Sequence, residues 1–245
     1  KGGYEHFMLK EIHEQPKAVR DTMSQRIAKD GKSVVFDELK WDKDFLDSID
    51  KISIVACGTA YHAGLVGKTY IEKLVRIPVE IDVASEFRYK DPIIDDKTLT
   101  VVVSQSGETS DTLAALKEAK RRGAKTVAIT NVVGSSIARE ADRVIYTWAG
   151  PEIAVASTKA YTTQLVAFFM LALYMAEIEG TQPSERIAEL IAALQKLPDD
   201  VSRTFEDVEP IKTFATKYGF NEDAFFIGRS LDSVSYTHLT LPTIA

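Results

Sequence analysis

Hydroxyl and amide side chains are concentrated in one short loop, where a predicted strand passes into a predicted helix. The first N–H groups of a helix lack intrahelical partners and the macrodipole makes that end positive, so an anion placed there meets free donors. The side chains would add neutral donors, and a glycine would let the backbone approach a ligand closely. Such a loop suits one phosphate monoester on a small polar molecule. Its residues are Ser104, Gln105, Ser106, Gly107, Glu108 and Thr109.

The loop contains no Lys or Arg, so it does not match the P-loop, in which a lysine reaches the terminal phosphates of a nucleotide. A second interpretation stays open at this point. Serine and threonine are common before helices simply as N-caps, and the same residues would then bind no ligand.

Three further segments place small polar residues beside a predicted helix. Cys57, Gly58, Thr59 and Ala60 follow a predicted strand over 52–56, and the segment 131–136 follows another over 126–130. The segment 155–159 precedes a long apolar helix. Cys57 has no basic neighbour in sequence, which favours a small buried residue over a nucleophile.

These segments are positioned by strands that alternate with helices. Such alternation predicts an α/β protein with a parallel sheet and helices on both faces. In such sheets ligands bind beyond the carboxyl ends of the strands, near the switch in strand order, so the loops are expected at one edge. We predict strands over 52–56, 78–84, 99–103, 126–130 and 143–148, and helices over 4–15, 61–75, 110–122, 137–141, 161–179 and 184–205.

Proline and apolar residues mark the remaining features. Pro16 either ends the first helix or starts a second one, and Pro198 predicts a kink or an end in the helix over 184–205. A short helix is expected near Phe45, and a polar connection over 85–89.

The helix over 161–179 is apolar on nearly every side, which predicts either an interface with another subunit or domain or a central core helix. Residues 224–228 predict a strand that would begin a second module.

The composition and net charge of the chain argue against several classes of binding partner. The chain has 245 residues, 45% of them hydrophobic and 27% charged, which is ordinary for a soluble globular protein. A net charge of -6 and a pI near 5.4 argue against nucleic acid and against an anionic membrane surface. A single cysteine suits a reducing cytosol. The four histidines show no zinc spacing, and the apolar run 165–176 is shorter than the roughly 20 residues of a membrane span.

Five segments together resemble a known family. The segments 56–59, 104–109 and 155–159 resemble the sugar isomerase (SIS) domain, and more closely the isomerase half of the glutamine–fructose-6-phosphate amidotransferase family. The segment 7–16 is similar to that family's connection between glutaminase and isomerase domains, and 226–229 to the start of its second SIS module. The resemblance implies a three-layer, flavodoxin-like fold. It divides the chain into an N-terminal helical segment (1–50), a first SIS domain (51–200), the start of a second (201–232) and an unmatched tail (233–245).

The resemblance also implies a ligand and a reaction. In the family, ammonia moves from glutamine to fructose 6-phosphate, and the product is isomerised to glucosamine 6-phosphate. That isomerisation needs a base but no metal and no organic cofactor. The implied partners are a hexose phosphate, a glutaminase domain and a second subunit of a homodimer, in the cytoplasm. The implied phosphate contacts are Ser104, Gln105, Ser106 and Thr109, and the implied sugar contacts are Thr59, Val155 and Ser157.

The chain departs from the family in two places. Ala60 stands where many relatives have Ser, and the loss of one neutral hydrogen bond costs about 0.5–1.5 kcal/mol. The tail over 233–245 does not match the family, so the family's catalytic Glu, Lys and His are assigned to no residue and His238 is not equated with that histidine. We therefore expect the chain to bind a sugar phosphate without turnover.

Other functional classes stay open. A phosphosugar sensor is disfavoured, because such regulators carry a basic helix-turn-helix and this chain is acidic. A stand-alone phosphosugar isomerase would need a base within the module or from a partner. Glu86, Glu108 and Glu152 lie near the predicted loops, and none is assigned a catalytic role.

Overall fold

The computed structural model describes residues 2–221, 227–229 and 231. Within this part of the chain, five parallel strands form one sheet in the spatial order β2-β1-β3-β4-β5. This is the strand order of the flavodoxin-like doubly wound fold. The strands are β1 (Lys51–Ala56), β2 (Val79–Val83), β3 (Thr98–Ser104), β4 (Lys125–Thr130) and β5 (Arg143–Tyr146).

Helices cover both faces of the sheet. Ile54, Val101 and Ile129 point into a core shared with α2, α3, α4, α8 and α9, and Val102 and Ala128 face a smaller core formed with α5, α6 and α7. The predicted three-layer α/β fold is confirmed. The helices are α1 (Phe7–His13), α2 (Gln15–Met23), α3 (Lys43–Asp47), α4 (Gly58–Leu74), α5 (Ala84–Phe87), α6 (Ser110–Arg121), α7 (Ser136–Glu140), α8 (Lys159–Glu179), α9 (Ser184–Arg203) and α10 (Glu209–Tyr218).

Helix α8 is enclosed by the chain's own elements. It packs mainly against α4 and α2, with α3 and α9 completing its cover. Among the described residues it is the one helix long and apolar enough to span a membrane, and 67% of its most apolar window is buried inside the protein. Of the two interpretations of this helix, the central core helix therefore accounts for its composition without a partner subunit.

Two local predictions were wrong or incomplete, and a third is decided between its two alternatives. The connection predicted over 85–89 contains α5, because Phe87 is fully buried against the smaller core. Helix α9 does not end at Pro198; the helix continues to Arg203, and the buried Pro198 lies within it. Pro16 lies in the first turn of α2, as its second interpretation predicted.

The C-terminal segment contains one unpredicted helix, α10. Its apolar residues Ile211, Phe214 and Tyr218 recur at helical spacing but are exposed, as is the whole helix. Residues 224–226 of the predicted strand and the tail over 233–245 lie outside the described residues, and residues 227–229 have no regular secondary structure.

A carboxylate on α6 gives the fold a measurable acid sensitivity. Hydrogen bonds from Arg121 and Arg122 lower the pKa of Glu118 to about 2 from an ordinary value of 4.5. Ionised Glu118 therefore stabilises the folded state fully above pH 4.5, and this contribution is lost as the pH falls towards 2. We expect the free energy of unfolding, measured with urea, to fall less in Glu118→Gln than in the parent when the pH is lowered from 7 to 3, because the variant has no carboxylate at this position to protonate. The exposed Glu185→Gln on α9 is the control, and equal losses in all three proteins would contradict the prediction.

Candidate functional site

The direction in which successive strands are added to the sheet reverses between β1 and β3. After β1 the chain adds β2 on one side, and after β3 it adds β4 on the other. Ala56 lies beside Val103 in register, so the loops that leave these two strands start next to each other. A crevice at such a switch point is where open α/β sheets bind ligands. Thr59 and the segment from Ser104 to Thr109 lie at the carboxyl ends of these two strands.

The loop after β3 is closed by its own hydroxyl groups. The Ser104 Oγ accepts the Gly107 N–H at 3.0 Å and lies 2.9 Å from the Thr109 Oγ1, with which it shares a hydrogen bond. The Ser106 Oγ accepts the Glu108 N–H at 3.2 Å. The loop therefore holds three hydroxyls in fixed places beside the first turn of α6.

Gly107 allows this loop to rest on the loop after β4. Its φ is +66°, and a Cβ built there would lie 2.0 Å from the Ser135 Oγ and 2.9 Å from the Thr130 Oγ1. Backbone bonds join the same two loops: Asn131 N–H donates to the Gln105 carbonyl at 3.1 Å, and Ile137 N–H to that of Gly107 at 3.0 Å. Only a residue without a side chain fits this contact.

Buried hydroxyls beneath the loop have no hydrogen-bond partner among the described residues. They belong to Thr130 at the end of β4, Ser135 in the following loop, and Thr112 in the first turn of α6. Buried polar groups are normally satisfied, so such a group calls for a specific explanation. The first two contact the glycine of the loop. Sequence patterns identified the segment 131–136 but not these particular side chains.

Glu108 connects the loop to α7. Its Oε1 accepts the Ser136 N–H at 2.7 Å, and the hydrogen bonds with Ser136 lower the pKa of Glu108. The carboxylate is therefore engaged as an anchor between two loops. This contact agrees with leaving Glu108 without a catalytic assignment.

Thr59 lies in the first turn of α4. It follows Gly58, whose φ is +55°, and precedes Ala60, which is buried. Cys57 is a free thiol at partial burial, packed against the smaller core. Thr59 is partly exposed at the switch point, in the place where the sequence predicted a ligand contact.

The remaining predicted residues lie on the loop between β5 and α8. Val155 is 98% exposed, and Ser157 donates its hydroxyl to the Glu152 carboxylate at 3.1 Å. Asn131 ties the start of this loop to the end of β4, through the Gly150 carbonyl at 2.7 Å and the Ala149 N–H at 2.8 Å. The contacts place this loop at the same edge of the sheet. Whether these two side chains touch a sugar remains a prediction.

A cavity of about 830 Å³ lies beside the ends of β4 and β5. It adjoins the candidate site through Asn131, and α2 forms its opposite wall. Among the residues that the structure describes, no group of three or more His, Cys, Asp or Glu side chains could hold a metal ion. The cavity is lined by Asp21, Ser24, Gln25, Asn131, Val132, Trp148, Gly150 and Pro151.

Comparison with known proteins agrees with this geometry. A family model described as the SIS domain matches residues 45–174. The chain is 61% identical over 232 residues to a glutamine–fructose-6-phosphate aminotransferase [isomerizing] of Clostridium tetani, and 60% identical to that of Caldanaerobacter subterraneus subsp. tengcongensis. Each alignment covers 95% of this chain and 38% of the relative, so the chain spans well under half the length of these relatives.

Solved structures give the same result for the fold. The C-terminal domain of glucosamine-fructose-6-phosphate aminotransferase from Francisella tularensis superposes with a TM-score of 0.90 at 38% identity, covering 97% of this chain and 66% of that one. A putative phosphosugar isomerase from Silicibacter pomeroyi superposes with a TM-score of 0.66 at 28% identity, covering 86% of this chain and 60% of that one.

Proposed function

The chain belongs to the SIS domain family, and from this premise we propose that it is the hexose-phosphate-binding part of a glutamine–fructose-6-phosphate aminotransferase. Its ligand is then fructose 6-phosphate or glucosamine 6-phosphate, and its biological role is amino sugar synthesis. The proposal extends to the expected partners: a glutaminase domain and a second copy of the chain, in the cytoplasm. No metal or organic cofactor is invoked.

One observation carries this proposal. The loop from Ser104 to Thr109 lies at the switch point of the sheet, and its side-chain donors are neutral hydroxyl and amide groups. Its conformation is fixed by its own hydrogen bonds and by the contact with Ser135. Its one carboxylate, Glu108, is bonded to the Ser136 N–H. A phosphate monoester needs several hydrogen-bond donors and gains from the positive end of a helix, here that of α6. The absence of Lys and Arg from this loop favours a single phosphate over a polyphosphate.

In the proposed complex each segment has a separate task. The loop from Ser104 to Thr109 holds the phosphate with the side chains of Ser104, Gln105, Ser106 and Thr109, and the first N–H groups of α6 add further donors. Thr59 and the loop carrying Val155 and Ser157 lie along the sugar. The aminotransferase is preferred over a stand-alone isomerase because the high identity extends over 232 residues, far beyond the SIS match.

Replacing Ser104 by Ala tests the phosphate site. The substitution removes a hydroxyl that closes the loop and would face the phosphate, and a hydrogen bond to a charged group contributes about 1.5–3 kcal/mol. We expect the affinity for fructose 6-phosphate to fall by about 10- to 100-fold in isothermal titration. Ser48→Ala, before β1 at the opposite edge of the sheet, is the matched control. An unchanged affinity in Ser104→Ala would contradict the assignment.

A further inference from the structure

A buried carboxylate from the N-terminal segment reaches the loop between β5 and α8. Glu11 is 1% exposed, and its Oε1 accepts the Ile153 N–H at 2.6 Å and the Ala154 N–H at 3.2 Å. These contacts join residues 142 and 143 positions apart in the sequence. Charge-assisted bonds to backbone N–H groups are strong, so this contact fixes the loop backbone firmly.

A second carboxylate holds the other end of the same loop. The Glu152 Oε1 accepts the N–H groups of Thr158 at 2.9 Å and Ala160 at 3.1 Å. Between the two anchors stands Val155, whose side chain is 98% exposed. An apolar side chain held in solvent on a doubly anchored backbone is placed for a contact outside the core.

The burial of Glu11 is not explained by core packing. Of the seven residues of α1, it alone is buried, and the apolar Met8 and Leu9 are each 42% exposed. Burying a carboxylate costs free energy unless hydrogen bonds compensate, and the compensation here comes from the loop. The contact that accounts for the position of Glu11 is therefore the one to residues 153 and 154.

We propose that Glu11 is a positioning residue for the sugar part of the ligand. It fixes the backbone at Ile153 and Ala154, and thereby presents Val155 and Ser157 to the hexose. Helix α1 is on this view part of the sugar site, although it lies before the first strand. The inference rests on the proposed function, in which the phosphate and the sugar contact different loops.

That separation gives a direct test. Glu11→Gln keeps the size of the side chain and one acceptor oxygen, but it removes the negative charge and the second acceptor oxygen. The bonds to the N–H groups of Ile153 and Ala154 then lose their charge assistance. We expect the affinity for fructose 6-phosphate to fall about tenfold, while the affinity for inorganic phosphate, measured by competition, stays unchanged. The amide hydrogens of Ile153 and Ala154 should exchange faster. Glu5→Gln, an exposed carboxylate six residues earlier, should change none of these quantities.

The outcomes separate this inference from the function on which it rests. If the parent chain binds neither ligand, the proposed function fails. If Ser104→Ala weakens both ligands and Glu11→Gln leaves fructose 6-phosphate binding intact, or weakens both ligands equally, the role of Glu11 is refuted and the function stands. Should Glu11→Gln not fold, Glu11→Asp keeps the charge on a shorter side chain. A smaller but selective loss of fructose 6-phosphate affinity then supports the inference, and parental affinity with faster exchange at 153 and 154 overturns it.

Discussion

Replacing Gly107 by Ala is expected to abolish measurable hexose-phosphate binding and to lower the free energy of unfolding by about 2–5 kcal/mol. Two costs add at this position. A residue with a Cβ is disfavoured at a φ of +66°, and the new methyl group would lie 2.0 Å from the Ser135 Oγ and 2.5 Å from its Cβ. Either the loop that contains Gly107 moves away from Ser135, or the loop after β4 moves away from Gly107. Both movements displace the donors that the phosphate would contact.

Gly134 offers a control that separates the two costs. Its φ is +71°, but a Cβ built there meets nothing within 4 Å. Gly134→Ala should therefore show only the backbone cost, about 1–2 kcal/mol, with binding largely kept. Ser135→Gly combined with Gly107→Ala should recover most of the steric part of the loss, since only the 2.9 Å contact with the Thr130 Oγ1 then remains. Equal denaturation midpoints for Gly107→Ala and Gly134→Ala would contradict the packing of the two loops.

The second large effect is expected at Glu14. The ammonium of Lys159 is 2% exposed and lies 2.7 Å from the Glu14 carboxylate, which also pairs with Lys10 at 2.6 Å. Although burial alone would raise the pKa of Glu14, hydrogen bonds from these two lysines lower it. Glu14→Gln removes the carboxylate that pairs with this buried ammonium. We expect the free energy of unfolding to fall by about 3 kcal/mol. This is the lower end of the range for broken buried ion pairs, because the Glu14 side chain is itself one-third exposed.

A double-mutant cycle identifies the cause of that loss. Lys159→Met removes the buried charge and keeps an unbranched apolar side chain, while Glu14 retains Lys10. The double variant Glu14→Gln with Lys159→Met should then be more stable than Glu14→Gln alone. Additive losses in urea unfolding would show that the ion pair is not what stabilises this region. Glu185→Gln on the exposed face of α9 again serves as the control.

Much of the sheet was predictable because its signals are local. The β-branched run over 99–103 lies within β3, and β2 lies within the alternating segment over 78–84. Both signals can be recognised because the strand period and the burial pattern appear in consecutive residues. The short α5 was missed because the burial of Phe87 depends on α6, which is distant in sequence. Of the two alternatives predicted at Pro198, a kink or an end of the helix, the end was wrong, because α9 packs against α2 and continues through the buried proline to Arg203.

The candidate site was predictable to the level of its loops. A hydroxyl-rich segment after a strand indicates where donors gather, and parallel strands place such segments at one edge. The contact of Gly107 with Ser135, and the reach of Glu11 to Ile153, were not predictable, because no local pattern specifies which distant partner a side chain meets. Both contacts become visible only when the topology brings the loops together.

The cover of α8 has a consequence for where this module begins and ends. The family match over 45–174 includes most of that helix but excludes α2 and α9, which shield it from water. The stretch that the SIS family model matches is thus shorter than the stretch that packs around α8. Boundaries drawn from the family model alone would separate α8 from two of the helices that cover it.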